Sequence, residues 1–123
     1  MSNAINWFEL PVSNLDRAVR FYERSLGITF KRETFTGREM AVFPAPDPAV
    51  GGALVTFSEV RKPSGDGALV YLDATGKLDA VLDRVPGAGG TILLGKTDIG
   101  APGFIAVVLD TEGNHVGLHA PRG

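Results

Sequence analysis

The chain of 123 residues is long enough for one compact domain that buries roughly two-thirds of its unfolded surface. Its 44% hydrophobic and 21% charged residues are ordinary for a globular protein, and a formal net charge of −2 gives no reason to expect nucleic acid or an anionic membrane as partner. The absence of cysteine excludes disulfides, thiolate metal sites and a cysteine nucleophile. The sequence shows neither a signal peptide nor an apolar run long enough to cross a bilayer, so we expect a cytoplasmic protein.

The first predicted strand carries a carboxylate in its middle. It runs from Ile5 to Leu10, and because strand side chains alternate between faces, Trp7 and Glu9 share one face. The opposite face, with Phe8, can pack beneath the helix that follows. A carboxylate in a mostly apolar strand costs free energy unless it is paired, hydrogen-bonded or wet. Glu9 is therefore a candidate functional residue.

The next segment predicts an amphipathic helix centred on Arg20. Either Ser13 or Asn14 can cap its N-terminus, and Gly27 lies where a left-handed C-terminal cap is favoured. The apolar stripe recurs at helical spacing and consists of Leu15, Ala18, Val19, Tyr22 and Leu26.

The remaining sequence predicts seven further strands and one further helix. Alternating or β-branched runs bounded by glycine and proline indicate the strands, and a second stripe at helical spacing indicates the helix. A polar segment rich in breakers, residues 61–67, predicts the connector between two halves of the chain. The predicted strands span residues 28–35, 40–44, 52–58, 68–73, 91–94, 104–109 and 115–119, and the second helix spans residues 77–85.

The two halves of the chain repeat the same pattern. Leu15 corresponds to Leu78 and Gly27 to Gly90, both at an offset of 63 residues. The order of strand, helix, glycine stop and three strands also occurs in both halves. We therefore predict two copies of a βαβββ unit related by an approximate twofold axis.

Two motifs resemble the vicinal oxygen chelate superfamily, which includes glyoxalase I, bleomycin resistance proteins and extradiol dioxygenases. The opening motif is LPVSNLDRA at residues 10–18, and the closing motif is LDTEGNHVGL at residues 109–118. The resemblance implies an α+β fold in which tandem βαβββ modules form a curled mixed sheet around a cleft. It further implies a single domain over residues 1–123, with modules at about residues 4–60 and 66–121.

The resemblance also implies four positions for metal ligands, one on the first and one on the last strand of each module. These positions fall on Trp7, near Gly67, around Ala53 or Leu54, and on Gly117. Indole, glycine and aliphatic side chains do not bind metal ions. The standard set of four ligands is absent, and we expect no metal and no other cofactor.

On the implied fold, four side chains converge on one concave surface and form the predicted ligand-binding site: Trp7, Glu9, Tyr71 and His119. Glu9 is the candidate catalytic residue, acting as a general base or as an anchor for a polar group. Weak binding of an ion by Glu9 and His119 with waters stays open. A purely structural role is also open for each residue, such as a plug for the cleft in the case of Trp7.

Three functions remain open at this stage. The first is binding of a small organic molecule without a metal, as in bleomycin resistance proteins. The second is a lyase- or isomerase-like enzyme that uses Glu9, with or without an ion shared with His119. The third is a non-catalytic interaction module. The missing metal ligands favour the first over the second, and the resemblance also implies a homodimer.

Overall fold

Two βαβββ units follow one another in the part of the chain that the computed structural model describes, residues 4–35, 37–47, 49–56 and 62–122. The predicted end of the fourth strand at residue 58 and the start of the predicted connector lie outside these residues. The elements in chain order are β1 (Trp7–Val12), α1 (Leu15–Leu26), β2 (Lys31–Phe35), β3 (Arg38–Val42), β4 (Gly51–Thr56), β5 (Val70–Asp73), α2 (Leu78–Arg84), β6 (Thr91–Asp98), β7 (Phe104–Leu109) and β8 (His115–Ala120).

The strands form two four-stranded sheets, with the orders β1-β4-β3-β2 and β5-β8-β7-β6. In each sheet the first and last strand of the unit run parallel, and the other neighbours run antiparallel. The predicted α+β class and the repeated unit are confirmed. The mixed sheets are two in the described chain, and neither is closed. The units meet through contacts between α1 and α2 and through the turn before β8, and β1 and β5 remain edge strands.

The ends of α1 follow from local chemistry. The Asn14 side chain accepts a hydrogen bond from the Arg17 N–H at 3.0 Å, so Asn14 rather than Ser13 is the N-terminal cap. Gly27 ends the helix with φ 70°, a left-handed conformation that only glycine adopts without steric cost. The predicted apolar stripe is buried, and it faces the sheet of the first unit.

Several strand boundaries differ from the prediction, among them those of β1, β2 and β6. β1 continues through Pro11, which an edge strand tolerates because it needs ladder hydrogen bonds on one side only. β2 begins at Lys31 rather than at residue 28, since the Phe30 N–H donates to the Glu23 carboxylate instead of to a neighbouring strand. β6 continues to Asp98 through two register shifts.

One buried cluster contains side chains of both units, so the two sheets and two helices share a core. No helix in the described residues is long and apolar enough to cross a membrane. Members of the cluster include Leu10, Tyr22 and Leu54 from the first unit and Leu72, Val81 and Leu118 from the second.

Candidate functional site

Strand alternation places Trp7 and Glu9 on the solvent-facing side of β1. Trp7 is 43% exposed, and its Nε1–H donates a hydrogen bond of 3.2 Å to Oε2 of Glu9. Phe8 lies on the other side of the strand and packs against the core, and Leu10 is buried. The carboxylate of Glu9 is thus held at the surface by the neighbouring indole.

Each unit presents an aromatic ring that lies on a glycine of the adjacent parallel strand. In the first unit Trp7 pairs with Gly51, and a Cβ atom at Gly51 would come within 3.2 Å of the indole ring. In the second unit Tyr71 pairs with Gly117, where a Cβ atom would overlap the phenol ring. Both rings are nearly half exposed, so each offers a flat apolar surface to solvent.

The outward face of β5 and β8 also carries Asp73, which the sequence analysis missed. Asp73 pairs with His119 across the parallel strands, next to the pair of Tyr71 and Gly117. The hydroxyl and N–H of Thr75 both donate to Oδ1 of Asp73, and these bonds lower the pKa of that carboxyl below its usual value. Asp73 lies two residues after Tyr71, so strand alternation places both side chains on the same face, and the sequence alone could have identified Asp73.

Two clefts flank β5. The larger, which we name the inter-module cleft, has a volume of about 750 Å³ and lies between the two units. The smaller, which we name the His119 pocket, has a volume of about 510 Å³ and lies on the outward face of the second unit. Residues 71–73 line both clefts. The inter-module cleft is walled mainly by apolar side chains, including Phe8, Leu26, Phe43 and Leu69, and Lys77 lies at its edge.

The structure brings the four predicted site residues together as two pairs. Trp7 contacts Glu9 on the first sheet, and Tyr71 and His119 line the His119 pocket on the second sheet. Within the described chain, neither Trp7 nor Glu9 lines either of the two clefts, because strand alternation places both on the face opposite Phe8, which lines the inter-module cleft. A common surface for all four residues therefore stays a prediction.

The residues at the implied metal-ligand positions do not fit a metal centre. The Trp7 indole nitrogen is a donor only, and Gly117 has no side chain. Ala53 and Leu54 are buried aliphatic residues, and Gly67 precedes β5. Over the described ranges, no group of three His, Cys, Asp or Glu side chains is placed to hold an ion.

A carboxylate on the turn before β8 joins the second unit to the start of α1. Oε1 of Glu112 accepts hydrogen bonds from the N–H groups of Ser13 and Asn14 at 2.9 and 2.8 Å, and Oε2 accepts one from Nε of Arg17 at 2.7 Å. Burial alone would raise the pKa of Glu112, but these bonds and one from Thr111 lower it from 4.5 to about 2. The carboxylate is ionised and satisfies the helix N-terminus.

The same turn also reaches the core of the first unit. The buried Tyr22 hydroxyl donates to Oδ2 of Asp110 at 2.6 Å, and the Asn114 amide donates to the Pro11 carbonyl at 2.8 Å. Burial, and then the nearby negative charge of Asp110, raise the pKa of Tyr22 well above its ordinary value. These bonds fix the two units relative to one another, and so they fix the walls of the inter-module cleft.

Comparison with known proteins agrees with this fold. Residues 4–118 match the family model of the Glyoxalase/Bleomycin resistance protein/Dioxygenase superfamily. The protein CFP32 of Mycobacterium tuberculosis, provisionally named a glyoxylase, is 31% identical over 108 residues, which cover 87% of this chain and 40% of CFP32. The chain thus spans less than half the length of this curated relative, and the same holds for the Mycobacterium bovis protein of that name.

Two solved structures share the fold over nearly the whole chain. A glyoxalase/bleomycin resistance protein from Albidiferax ferrireducens T118 superimposes with a TM-score of 0.75 at 18% identity, covering 98% of this chain and 100% of that one. TnmS3, an antibiotic binding protein from Streptomyces sp. CB03234, superimposes with a TM-score of 0.71 at 20% identity, covering 98% of both chains. Likeness at this level of identity establishes the fold alone.

Proposed function

Because the chain belongs to the glyoxalase/bleomycin resistance protein/dioxygenase superfamily, we propose that it binds a small, largely apolar organic molecule, without a metal, in the inter-module cleft. The observation that carries the proposal is the cleft itself, with a volume of about 750 Å³ and mostly apolar walls. Pockets for drug-sized ligands commonly enclose about 300–1,000 Å³ and combine apolar walls with few polar groups. The inter-module cleft has both properties.

The chemistry of the walls indicates how a ligand would be held. Phe8 and Phe43 meet with their ring centroids 5.4 Å apart and offer aromatic surface from the first unit. Burying apolar ligand surface against them contributes about 25 cal/mol per Å². Tyr71, Asp73 and Lys77 supply the polar groups that orient a ligand, and the Lys77 ammonium is held by the Leu26 carbonyl at 2.8 Å.

Binding without catalysis is supported by analogy with TnmS3, which is named an antibiotic binding protein and shares the fold.

The second candidate function is a lyase- or isomerase-like enzyme that uses Glu9 as base. In its favour, Glu9 lies on the outward face of β1 and is oriented by the Trp7 indole. Against it, Glu9 lies outside the inter-module cleft, so the geometry favours the binding function.

We further propose that the protein is a homodimer. Large apolar side chains lie exposed on edge strands of both sheets, among them Trp7 on β1 with 43% and Ile92 on β6 with 37% of their surface accessible. An edge strand offers unpaired backbone groups to a second chain, and pairing would cover these side chains. A second copy could then bring Trp7 and Glu9 of one chain towards Tyr71 and His119 of the other. Light scattering at micromolar concentration tests this, and a monomeric mass would contradict it.

The binding proposal is tested with the apolar dye 1-anilinonaphthalene-8-sulfonate, whose fluorescence rises in apolar sites. We expect saturable binding with one dye per chain. Leu69→Asp places a charge in the cleft and should weaken dye binding at least tenfold. Leu93→Asp is the matched control, because Leu93 is a similarly exposed leucine on β6 that lies outside the cleft. Equal affinities for the two variants, or no saturable binding, would refute the proposed site.

A further inference from the structure

We propose that the His119 pocket binds the ammonium group of a small organic cation with an apolar body. This goes beyond the proposed function, which concerns the inter-module cleft. The pocket has a volume of about 510 Å³ and is walled by Ile99, Pro102 and Ile105, with Tyr71, Asp73 and His119 as its polar members. The polar side chains of the pocket supply mainly hydrogen-bond acceptors, and an ammonium group supplies only donors.

The imidazole of His119, which lines the pocket, carries one acceptor nitrogen in its neutral form. Its Nε2 lies 2.8 Å from the carbonyl oxygen of Pro102. A carbonyl oxygen only accepts, so Nε2 must carry the hydrogen and donate. In the neutral ring the other nitrogen, Nδ1, then bears a lone pair. The contact with Pro102 therefore fixes the tautomer and leaves an acceptor on the ring.

Asp73 adds a second acceptor beside the first. It pairs with His119 across β5 and β8, so both side chains emerge from neighbouring positions of the same sheet face. Both hydrogen bonds from Thr75 go to Oδ1, and within the described residues Oδ2 accepts none. A carboxylate has about four acceptor positions, so most of its capacity remains for a ligand.

The charges around the pocket favour a cation. No Lys or Arg side chain of the described chain lines it, and Lys77 lines the inter-module cleft instead. Arg122, the basic residue nearest in sequence to His119, bonds to Asp98 and to the Gly100 carbonyl and lies over the Phe104 ring. The charge of Lys77 reaches Asp73 and helps to lower its pKa, but the Lys77 ammonium is held by the Leu26 carbonyl at 2.8 Å and is not part of the pocket lining. An anionic ligand would therefore meet the Asp73 carboxylate in the pocket, whereas an ammonium brings three donors to the two acceptors.

The far wall of the pocket is formed before any ligand arrives. The Ile99 N–H donates to the Gly103 carbonyl at 2.9 Å, and Gly103 in turn donates to Gly100 at 2.9 Å. Nε of Arg122 also holds the Gly100 carbonyl, at 2.8 Å. Because the loop is already ordered, binding need not offset the entropy of ordering it. The exposed ring of Tyr71 can contact a cation through its π face.

The test compares three probes of similar size by isothermal titration calorimetry: 2-phenylethylamine, 2-phenylethanol and 3-phenylpropionate. We expect the amine to bind at least tenfold more tightly than the alcohol and the carboxylate to bind most weakly. Asp73→Asn keeps the shape and removes the charge, so it should reduce the affinity for the amine to that for the alcohol. Asp79→Asn, on an exposed carboxylate of α2 outside the pocket, is the matched control and should preserve the preference.

Nuclear magnetic resonance of the unaltered protein locates the bound amine. The chain has two histidines, and His115 lies at the start of β8 outside the pocket. The amine should shift the ring signals of His119 and leave those of His115 unchanged. The proposal is wrong if the alcohol or the carboxylate binds as tightly as the amine, if Asp73→Asn retains the preference, or if the His119 signals do not respond.

Discussion

Glu112 and Arg17 form a salt bridge of 2.7 Å between the two units, although they are 95 residues apart in the sequence. The side chain of Glu112 is fully buried, while that of Arg17 is 46% exposed. The same carboxylate accepts the N–H groups at the start of α1. One residue therefore satisfies a helix terminus, compensates an arginine and holds the second unit against the first.

Glu112→Gln should lower the free energy of unfolding by about 2 kcal/mol, because it replaces charge-assisted hydrogen bonds with neutral ones at a buried position. Urea denaturation measures the change. Glu33→Gln, at an exposed carboxylate on β2, is the matched control and should stay within about 0.5 kcal/mol of the unaltered protein. Equal losses in the two variants would show that the carboxylate does not join the units in solution.

The stabilisation from Glu112 should also depend on pH. Its pKa in the folded protein is about 2, below the ordinary 4.5, so the folded state favours the ionised form. The contribution is then fully present above pH 4.5 and is lost as the pH falls from 4.5 through about 2. We expect the stability difference between the unaltered protein and Glu112→Gln to shrink over this range. A difference that stays constant down to pH 2 would contradict the assignment.

Tyr22→Phe should destabilise the protein by about 1–2 kcal/mol, because it removes a donor from the buried carboxylate of Asp110. The Tyr22 hydroxyl donates to Oδ2 of Asp110 at 2.6 Å. In Tyr22→Phe, the side-chain donor that remains for this oxygen among the described residues is the Asn114 amide, at 3.2 Å. Thermal unfolding measures the loss. Tyr71→Phe removes a hydroxyl from an exposed ring and should leave the melting temperature nearly unchanged.

Periodicity in the sequence accounts for most of the fold. The alternation in β1 and the stripe of α1 depend only on neighbouring residues, so both were predictable, and so was the repeat of the βαβββ unit. The choice between Ser13 and Asn14 as helix cap was not predictable, because the Ser13 hydroxyl donates to Glu112, a residue distant in the sequence. The contacts by which the two units meet were not predictable either, since they depend on side chains distant in the sequence.

The candidate site was predictable only in part, because some of its features depend on contacts between residues that are distant in the sequence. Alternation alone puts Trp7 on the same strand face as Glu9 and His115 on the same face as His119, but it does not reveal which strands adjoin. Asp73 could have been found, because it shares the face of Tyr71. The tautomer of His119 could not, because it depends on the carbonyl of Pro102, which a loop brings to the ring.

Glu9→Gln tests the pair of polar and aromatic groups on β1. We expect the free energy of unfolding to change by less than about 0.5 kcal/mol, since Glu9 is exposed. The emission spectrum of Trp7 should shift, because its Nε1–H loses a charged acceptor, and the chain has one tryptophan, so the signal reports this site alone. Glu39→Gln, at an exposed carboxylate on β3, should leave the spectrum unchanged. An unshifted spectrum in Glu9→Gln would mean that the indole does not hold the carboxylate in solution, and the enzyme alternative would lose the contact with Trp7 that orients its base.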